Sequence, residues 1–300
     1  MASANKTLFL TVARQENLQE VRLMIDSLRT FGGELQEAPF WVFASDPQSV
    51  RALEAGPTCL QSLHLHDPGN VYLFERKVAA CAQAEQLAPS GTTSLVWVDA
   101  GMLFTAAPVV FSLDEHHDAA FRPVHVRNVG LPSTEPLDAF WKGICAAAGV
   151  KEEGGTVTSF VDGQVLRTYY NSHAFSIRPA LGLMGRWYDL FMQLTCDVQF
   201  QAEACADEAH QVFLFQALLS ALVASHVRTD RLRILPPTYN YPYHLQERIP
   251  LDRRLKTLNE TVCVACEDLS LHPERLKGMA VIEPLKSWLQ AHVPETDEAA

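Results

Sequence analysis

Four short apolar segments, residues 7–13, 40–44, 60–65 and 94–99, punctuate the first third of the chain, with helix-forming stretches between them. This alternation constrains the fold most. Strands separated by helices cannot close as hairpins, because each helix carries the chain back across the sheet and the next strand enters parallel to the last. Residues 16–30 set Leu18, Val21, Ile25 and Leu28 on one helical face, and Gly32-Gly33 ends the run. Ser45 or Asp46 can cap a helix over residues 47–54. Residues 73–87 predict a further helix, stopped by Pro89-Ser90-Gly91. The segment 94–99 is apolar until its last residue, as a central strand covered on both faces should be. The expected class is α/β, with a mostly parallel, Rossmann-like sheet flanked by helices.

After Pro108 the pattern becomes mixed. A strand is predicted over 119–122 and a helix over 138–148. A hairpin turns at Asp162-Gly163 between 156–160 and 165–170, with 171–177 continuing its second arm. Helices follow at 180–201 and 208–225, then a strand at 233–235 and an aromatic-rich loop at 236–242. A strand at 261–265 and a helix at 283–291 complete the pattern. Residues 1–293 thus read as a single domain, and 294–300 as a mobile acidic tail.

With 300 residues, 48% of them hydrophobic, the chain can bury one large core. A net charge of −11 repels nucleic-acid phosphates and anionic lipid. A local Lys/Arg pair or a helix N-terminus can still take a small anion. No apolar run approaches the roughly 20 residues of a membrane span. The first apolar run is also too short for a signal peptide, so a soluble, cytoplasmic protein is expected. The seven cysteines are odd in number and scattered, which suits buried thiols in a reducing compartment. Cys263-Val-Ala-Cys266 has zinc-like spacing, but no second pair accompanies it, and Val262 and Val264 place it on a strand.

In an open parallel sheet, ligands bind beyond the carboxyl ends of the strands. That rim holds Val12, Ala13 and Arg14 after the first strand, Ala44 to Asp46 after the second, and Asp99 to Met102 after the fourth. Asp99 ends an otherwise apolar strand. It can hold a ribose hydroxyl or a divalent cation, or it can cap the following turn. Other chemistries lack their motifs. There is no GxGxxG for a dinucleotide and no GxSxG elbow. Asp207-Glu-Ala-His210 spells a helicase box without any phosphate loop. His64-Leu-His66 and His116-His117 read as solvated pairs.

Residues 95–104, LVWVDAGMLF, with Pro108 beyond, resemble the segment of GT-A glycosyltransferases in which an apolar strand ends in Asp-x-Asp. Lys77 sits where many such enzymes carry a basic residue on the preceding helix. TYYNSHAFSIRP (168–179) resembles their Asn-Ser-Gly segment, DEAHQVFLFQALLSAL (207–222) their Asp-Gln helix start, and LPPTYNY (235–241) their later loop. The pieces fall in family order. The resemblance implies a GT-A fold, with a nucleotide-binding half at 1–107 and an acceptor-side half at 108–293. It implies hexosyl or related transfer from a nucleotide-sugar donor to an acceptor that the sequence leaves unidentified. Thr11, Ala13, Arg14, Lys77, Asp99 and Gly101 would bind the nucleotide. Asn171, His210 and Gln211 would bind substrate. Asp207, Glu208 or His173 would handle the acceptor proton. Mn²⁺ or Mg²⁺ would sit at Asp99, and His272 lies where some retaining members place a metal-ligating histidine.

Three departures matter. Gly101 stands where the motif has its second carboxylate, so either the metal is held otherwise or cations such as Lys77, Arg76 or Arg14 stabilise the leaving diphosphate. His173 replaces the glycine of Asn-Ser-Gly, and His210-Gln211 replaces Asp-Gln. An active transferase and a degenerate domain that binds nucleotide or glycan, or acts as a scaffold, both remain open.

Overall fold

The structure is a computed structural model and describes residues 6–69, 71–150, 155–267, 269–293 and 295. The first half follows the expected alternation, except that the helix expected over 47–54 is a 3-10 stretch, Pro47–Leu53, kinked at Val50: β1 (Thr7–Val12), α1 (Leu18–Phe31), β2 (Phe40–Ala44), β3 (Thr58–Ser62), α2 (Glu75–Leu87) and β4 (Ser94–Val98). β1 lies between β2 and β4, β3 flanks β2, and all three pairings are parallel. The third strand starts earlier than residue 60, because Phe40 pairs opposite Thr58.

The second half supplies β5 (Met102–Phe104), β6 (Ala119–Pro123), α3 (Ala139–Ala148), β7 (Thr156–Thr158), β8 (Val165–Arg167), β9 (Tyr170–Ile177), α4 (Leu183–Cys196), α5 (Val198–Ala204), α6 (Glu208–His226), β10 (Leu232–Ile234), β11 (Tyr241–Pro242), β12 (Cys263–Ala265) and α7 (Leu285–His292). The main sheet has seven strands in the order β10-β6-β9-β4-β1-β2-β3. β9 is antiparallel to both β4 and β6, which makes the sheet mixed, while its other four pairings are parallel.

Residues 171–177 do not extend the hairpin. β7 and β8 pair with each other as a separate ribbon, while β9 enters the main sheet. Seven of the eight β9 side chains are buried. A strand covered on both faces belongs inside a sheet rather than on a hairpin arm. The helix expected over 180–201 is two helices, because Asp197 breaks out of helical geometry and caps α5 by accepting from Phe200 N at 3.0 Å. β5 was not anticipated. It pairs antiparallel with β12, which pairs with β11, to form a small second sheet.

Alternation along the central strands covers both faces. Leu8, Leu10, Leu95, Trp97, Phe175 and Ile177 share a core with α2, α3, α4 and α6. Phe9, Val96, Val98 and Ala174 share another with α1 and β5. Every α6 side chain from Leu214 to Val223 is buried, as its all-round apolar sequence requires. A third cluster seats Leu285 and Leu289 of α7 against Tyr241, Val264 and Leu103 of the small sheet.

Among the described residues no helix is long and apolar enough to cross a membrane. The described residues include all seven cysteines, and no disulfide forms among them. Apart from residue 295, the expected tail lies outside the described residues.

Candidate active site

The pairing of β1 with β4 brings Thr11 and Asp99 to one rim of the sheet. A cleft of about 520 Å³ opens there, lined by Thr11, Arg14, Arg76, Lys77, Asp99 and the aromatic face of Tyr72, among others. The Thr11 hydroxyl is buried and has no hydrogen-bond partner among the described residues. Arg76 reaches Ser45 Oγ at 2.8 Å, beyond the end of β2. Ala13 and Gly101, both expected to contact nucleotide, do not line this cleft. Ala13 N instead donates to Phe43 O at 2.9 Å, extending the β1–β2 ladder.

Asp99 is held from three directions. Lys77 Nζ donates to Asp99 Oδ1 at 2.9 Å and to Oδ2 at 3.2 Å, and Trp97 Nε1 donates to Oδ1 at 2.7 Å. Asp99 N donates to His173 O at 2.8 Å, which fixes the backbone. Lys77 also donates to Ser172 O at 2.6 Å, so all three of its ammonium hydrogens have protein acceptors. Its charge lies 5.0 Å from the centre of the Trp97 ring and 5.1 Å from that of Phe215. Burial pulls the Lys77 ammonium below the usual lysine range, and Asp99 opposes that pull.

A hard divalent ion takes six or more oxygen ligands. Here it would find one carboxylate with both oxygens already paired to an ammonium, and no second carboxylate at Gly101. The residues around Asp99 therefore do not fit Mn²⁺ or Mg²⁺.

A second cleft of about 430 Å³ adjoins the first, and Phe74 and Asp99 line both. Phe74 takes the left-handed conformation (φ 63°) at the start of α2 and stacks on Phe215 with ring centres 4.3 Å apart. A bulky residue at positive φ stores strain and persists only where packing over-determines it.

The far wall of this cleft holds His125, His173, His244 and Glu267. Glu267 Oε1 lies 3.5 Å from His173 Nε2 and 3.2 Å from His244 Nε2. The other ring nitrogens are anchored: His173 Nδ1 lies 2.9 Å from Asn171 Nδ2, and His244 Nδ1 lies 3.3 Å from Ala265 O. His125 is buried, and neither of its ring nitrogens has a partner among the described residues. Burial first, then the nearby Arg122, hold its imidazole well below the usual histidine range. Burial also lowers His244. A hydrogen bond from His173 holds the Glu267 carboxyl below the usual range.

Glu267 itself has φ 47° and packs against the turn after Asp99. A Cβ added at Gly101 would lie 4.0 Å from Glu267 N. Cys266 N and Sγ both donate to Gly101 O, at 3.3 and 3.0 Å. The β5–β12 pairing therefore brings the Glu267 backbone beside the turn at Gly101, while its carboxylate is engaged by His173 and His244. Cys263 is engaged separately, with Sγ 3.6 Å from Asn240 Oδ1.

The expected site residues divide. Thr11, Arg14, Lys77, Asp99, Asn171 and His173 line the two clefts. Asn171 acts as an orienting group, with Oδ1 accepting from His173 N at 2.9 Å and from Asn240 Nδ2 at 3.3 Å. Asp207, Glu208, His210 and Gln211 line neither cleft. Asp207 caps α6, accepting from His210 N at 3.0 Å and meeting His210 Nδ1 at 2.6 Å. Gln211 Nε2 donates to Cys205 O at 3.0 Å. The helix turns these four away and presents Val212, Phe213, Phe215 and Gln216 to the cleft. His272 is spent on a local turn, its Nδ1 accepting from Glu274 N at 3.3 Å.

Sequence reasoning missed Trp97, Phe74, His125, His244 and Glu267. One signal was present: Glu267 follows the apolar run 262–266 much as Asp99 follows 94–98.

The molecule is thus an α/β protein with paired clefts at the carboxyl edge of a mixed sheet. No protein-family model matches the chain, and no curated protein does.

Proposed function

We propose that this protein is a glycosyltransferase of the GT-A type that moves a sugar from a nucleotide-sugar donor to a hydroxyl acceptor. The observation that carries the reading is the meeting of two clefts at Asp99, beyond the carboxyl ends of β1 and β4. The first cleft suits a nucleoside diphosphate. Tyr72 and Phe74 offer aromatic faces to a base, the Thr11 hydroxyl has no partner among the described residues, and Arg14 and Arg76 offer cations to the phosphates. The second cleft suits the acceptor, because a reacting hydroxyl entering it meets the donor at Asp99.

In this mechanism Asp99 orients donor hydroxyls, and Lys77 holds Asp99 rather than the diphosphate. Arg14 and Arg76 stabilise the departing charge. The acceptor proton goes to the imidazole and carboxylate groups of the second cleft, not to Asp207 or Glu208.

A second reading has its own support. With Asp99 neutralised by Lys77 and Gly101 lacking a side chain, the domain would bind nucleotide or glycan without turnover. A panel of nucleotide sugars, assayed with and without Mn²⁺ for donor hydrolysis and transfer, separates the two. Turnover of one donor supports the enzyme. Thermal stabilisation by a nucleotide with no turnover of any donor sinks it.

A further inference from the structure

A run of hydrogen bonds fixes which nitrogen of His173 carries the ring proton. It starts from two backbone groups, one that can only accept and one that can only donate. Ala174 O accepts, so the Asn240 atom 2.6 Å from it is the amide nitrogen, Nδ2. Asn240 Nδ2 also donates to Asn171 at 3.3 Å, and the backbone N–H of His173 donates to the same Asn171 atom at 2.9 Å. An atom that takes two donors is an acceptor, so it is Asn171 Oδ1. Asn171 Nδ2 then faces His173 Nδ1 at 2.9 Å. An amide nitrogen only donates, so Nδ1 holds the lone pair and Nε2 the proton. Asn171 Oδ1 also lies 3.2 Å from Nδ1, but a proton on Nδ1 would meet the amide hydrogens at the shorter contact.

His173 Nε2 lies 3.5 Å from Glu267 Oε1 and donates to it, which keeps the carboxyl below its usual range and therefore ionised at neutral pH. Neutral imidazole has one lone pair, and Asn171 occupies it, so His173 has no place for a further proton. The other basic groups of the cleft are less open. His125 is 5% exposed. The His244 side chain is 15% exposed, and its Nε2 lies against the same Oε1 at 3.2 Å. The Asp99 carboxylate is paired with Lys77. The Glu267 side chain is 48% exposed and lines the cleft, and both imidazoles engage a single one of its oxygens.

We propose that Glu267 is the general base that takes the acceptor's proton, and that Asn240, Asn171 and His173 are positioning residues that hold its carboxylate. The base role rests on the transfer reading, whereas the tautomer of His173 does not. In the step, the acceptor O–H bond breaks and its proton joins a Glu267 carboxylate oxygen. The freed electron pair forms the bond from the acceptor oxygen to the sugar carbon. The bond from that carbon to the diphosphate oxygen breaks, and its electron pair leaves with the diphosphate. A single displacement of this kind inverts the configuration at the sugar carbon.

The test has two arms, both on the full chain. Long-range proton–nitrogen spectra of protein carrying isotope-labelled histidine read the tautomer, with His173 assigned by its loss in His173→Gln. A protonated Nε2 and a bare Nδ1 are expected at neutral pH. Asn171→Asp keeps the side-chain shape but sets a carboxylate oxygen against Nδ1, and should bring a proton to that nitrogen. An Nδ1–H tautomer in the wild type overturns the positioning relay, as does a bare Nδ1 in folded Asn171→Asp. The second arm uses the donor and acceptor that the nucleotide-sugar panel turns over. Glu267→Gln should lower kcat at least about 100-fold and leave the donor KM within about twofold. Far-UV circular dichroism checks that each variant folds, and the stereochemistry of the wild-type product needs no variant. Wild-type kcat in folded Glu267→Gln, or a product of retained configuration, overturns the base assignment and leaves the transfer reading standing. If the panel finds no turnover, the base assignment falls with that reading, and the first arm alone decides the relay.

Discussion

Lys77 and Asp99 form a buried-to-surface ion pair, with the ammonium 5% exposed, the carboxylate 28% exposed, and 2.9 Å between them. The pair sets the electrostatics of both clefts. Its two ends carry unequal costs. Asp99→Asn leaves an ammonium in the interior with weakened partners, and removing one side of such a pair costs about 3–5 kcal/mol. Lys77→Met leaves a carboxylate that still reaches solvent and Trp97, and should cost less, about 1–2 kcal/mol. The double variant should be more stable than Asp99→Asn alone. Urea titration of the four proteins measures this coupling, and strict additivity would show that the pair does not act as a unit.

Arg14 and Arg76 are the cations of the first cleft not committed to Asp99. If the cleft takes a nucleoside diphosphate, Arg14→Ala and Arg76→Ala should each weaken UDP or GDP binding about tenfold, the scale of one charge-assisted hydrogen bond. The loss should shrink as salt rises. Calorimetric titration at two ionic strengths reads both effects, and unchanged affinity in both variants would place the phosphates elsewhere.

Asn240 supports the site from behind. It is fully buried at φ 47°, and its Nδ2 donates to Ala174 O at 2.6 Å. Asn240→Ala removes the donor and puts a Cβ residue without local compensation at positive φ, for a loss of about 2–4 kcal/mol. Asn240→Gly keeps the backbone content and should recover about 1 kcal/mol of that. Chemical denaturation decides, and equal stability of the two variants would remove the conformational part of the argument.

Acid sensitivity should originate away from the clefts. Asp118 accepts from Arg231 and Arg178, and Asp114 meets His117, Arg233 and the backbone, tying β6, β9 and β10 together. Hydrogen bonds, from Arg231 to Asp118 and from His117 to Asp114, hold both carboxyls below their usual range, Asp114 at about 2. Both return to about 3.9 on unfolding. A lowered folded value means the unfolded chain binds more protons, so this stabilisation is complete above about pH 4 and disappears as pH falls toward about 2. Asp118→Asn should flatten that limb of the stability profile. An identical acid limb in wild type and variant would assign it to other groups.

Much of the sheet was legible because local sequence carries its signals. β1, β2 and β4 were found from apolar runs and α1 from its spacing and its Gly32-Gly33 stop, and the helix expected over 138–148 is α3, capped by Asp138, whose side chain accepts from Trp141 N at 2.8 Å. Errors arose where pairing is non-local. Nothing in residues 170–177 says whether they extend a hairpin or cross between β4 and β6, since both need the same extended, apolar stretch. β5 is too short to register until β12 pairs with it. The site divided the same way. Asp99 was visible as a charge ending an apolar strand, whereas Asp207 and Glu208 fitted a helix start in sequence and turned out to cap it.

By itself, the sequence determined the strands β1, β2 and β4 with the helices α1 and α2, the apolar faces that sandwich the main sheet, and Asp99 as the charged end of its central strand. These follow from periodicity, capping and strand ends, which act over a few residues. Only the tertiary structure decided that Lys77 neutralises Asp99, that β9 runs against its neighbours, and that Glu267 comes to rest beside Gly101 with three histidines. Residues 101 and 267 are brought together by the pairing of β5 with β12, a contact whose partners lie far apart in the chain and leave no periodic trace in either segment.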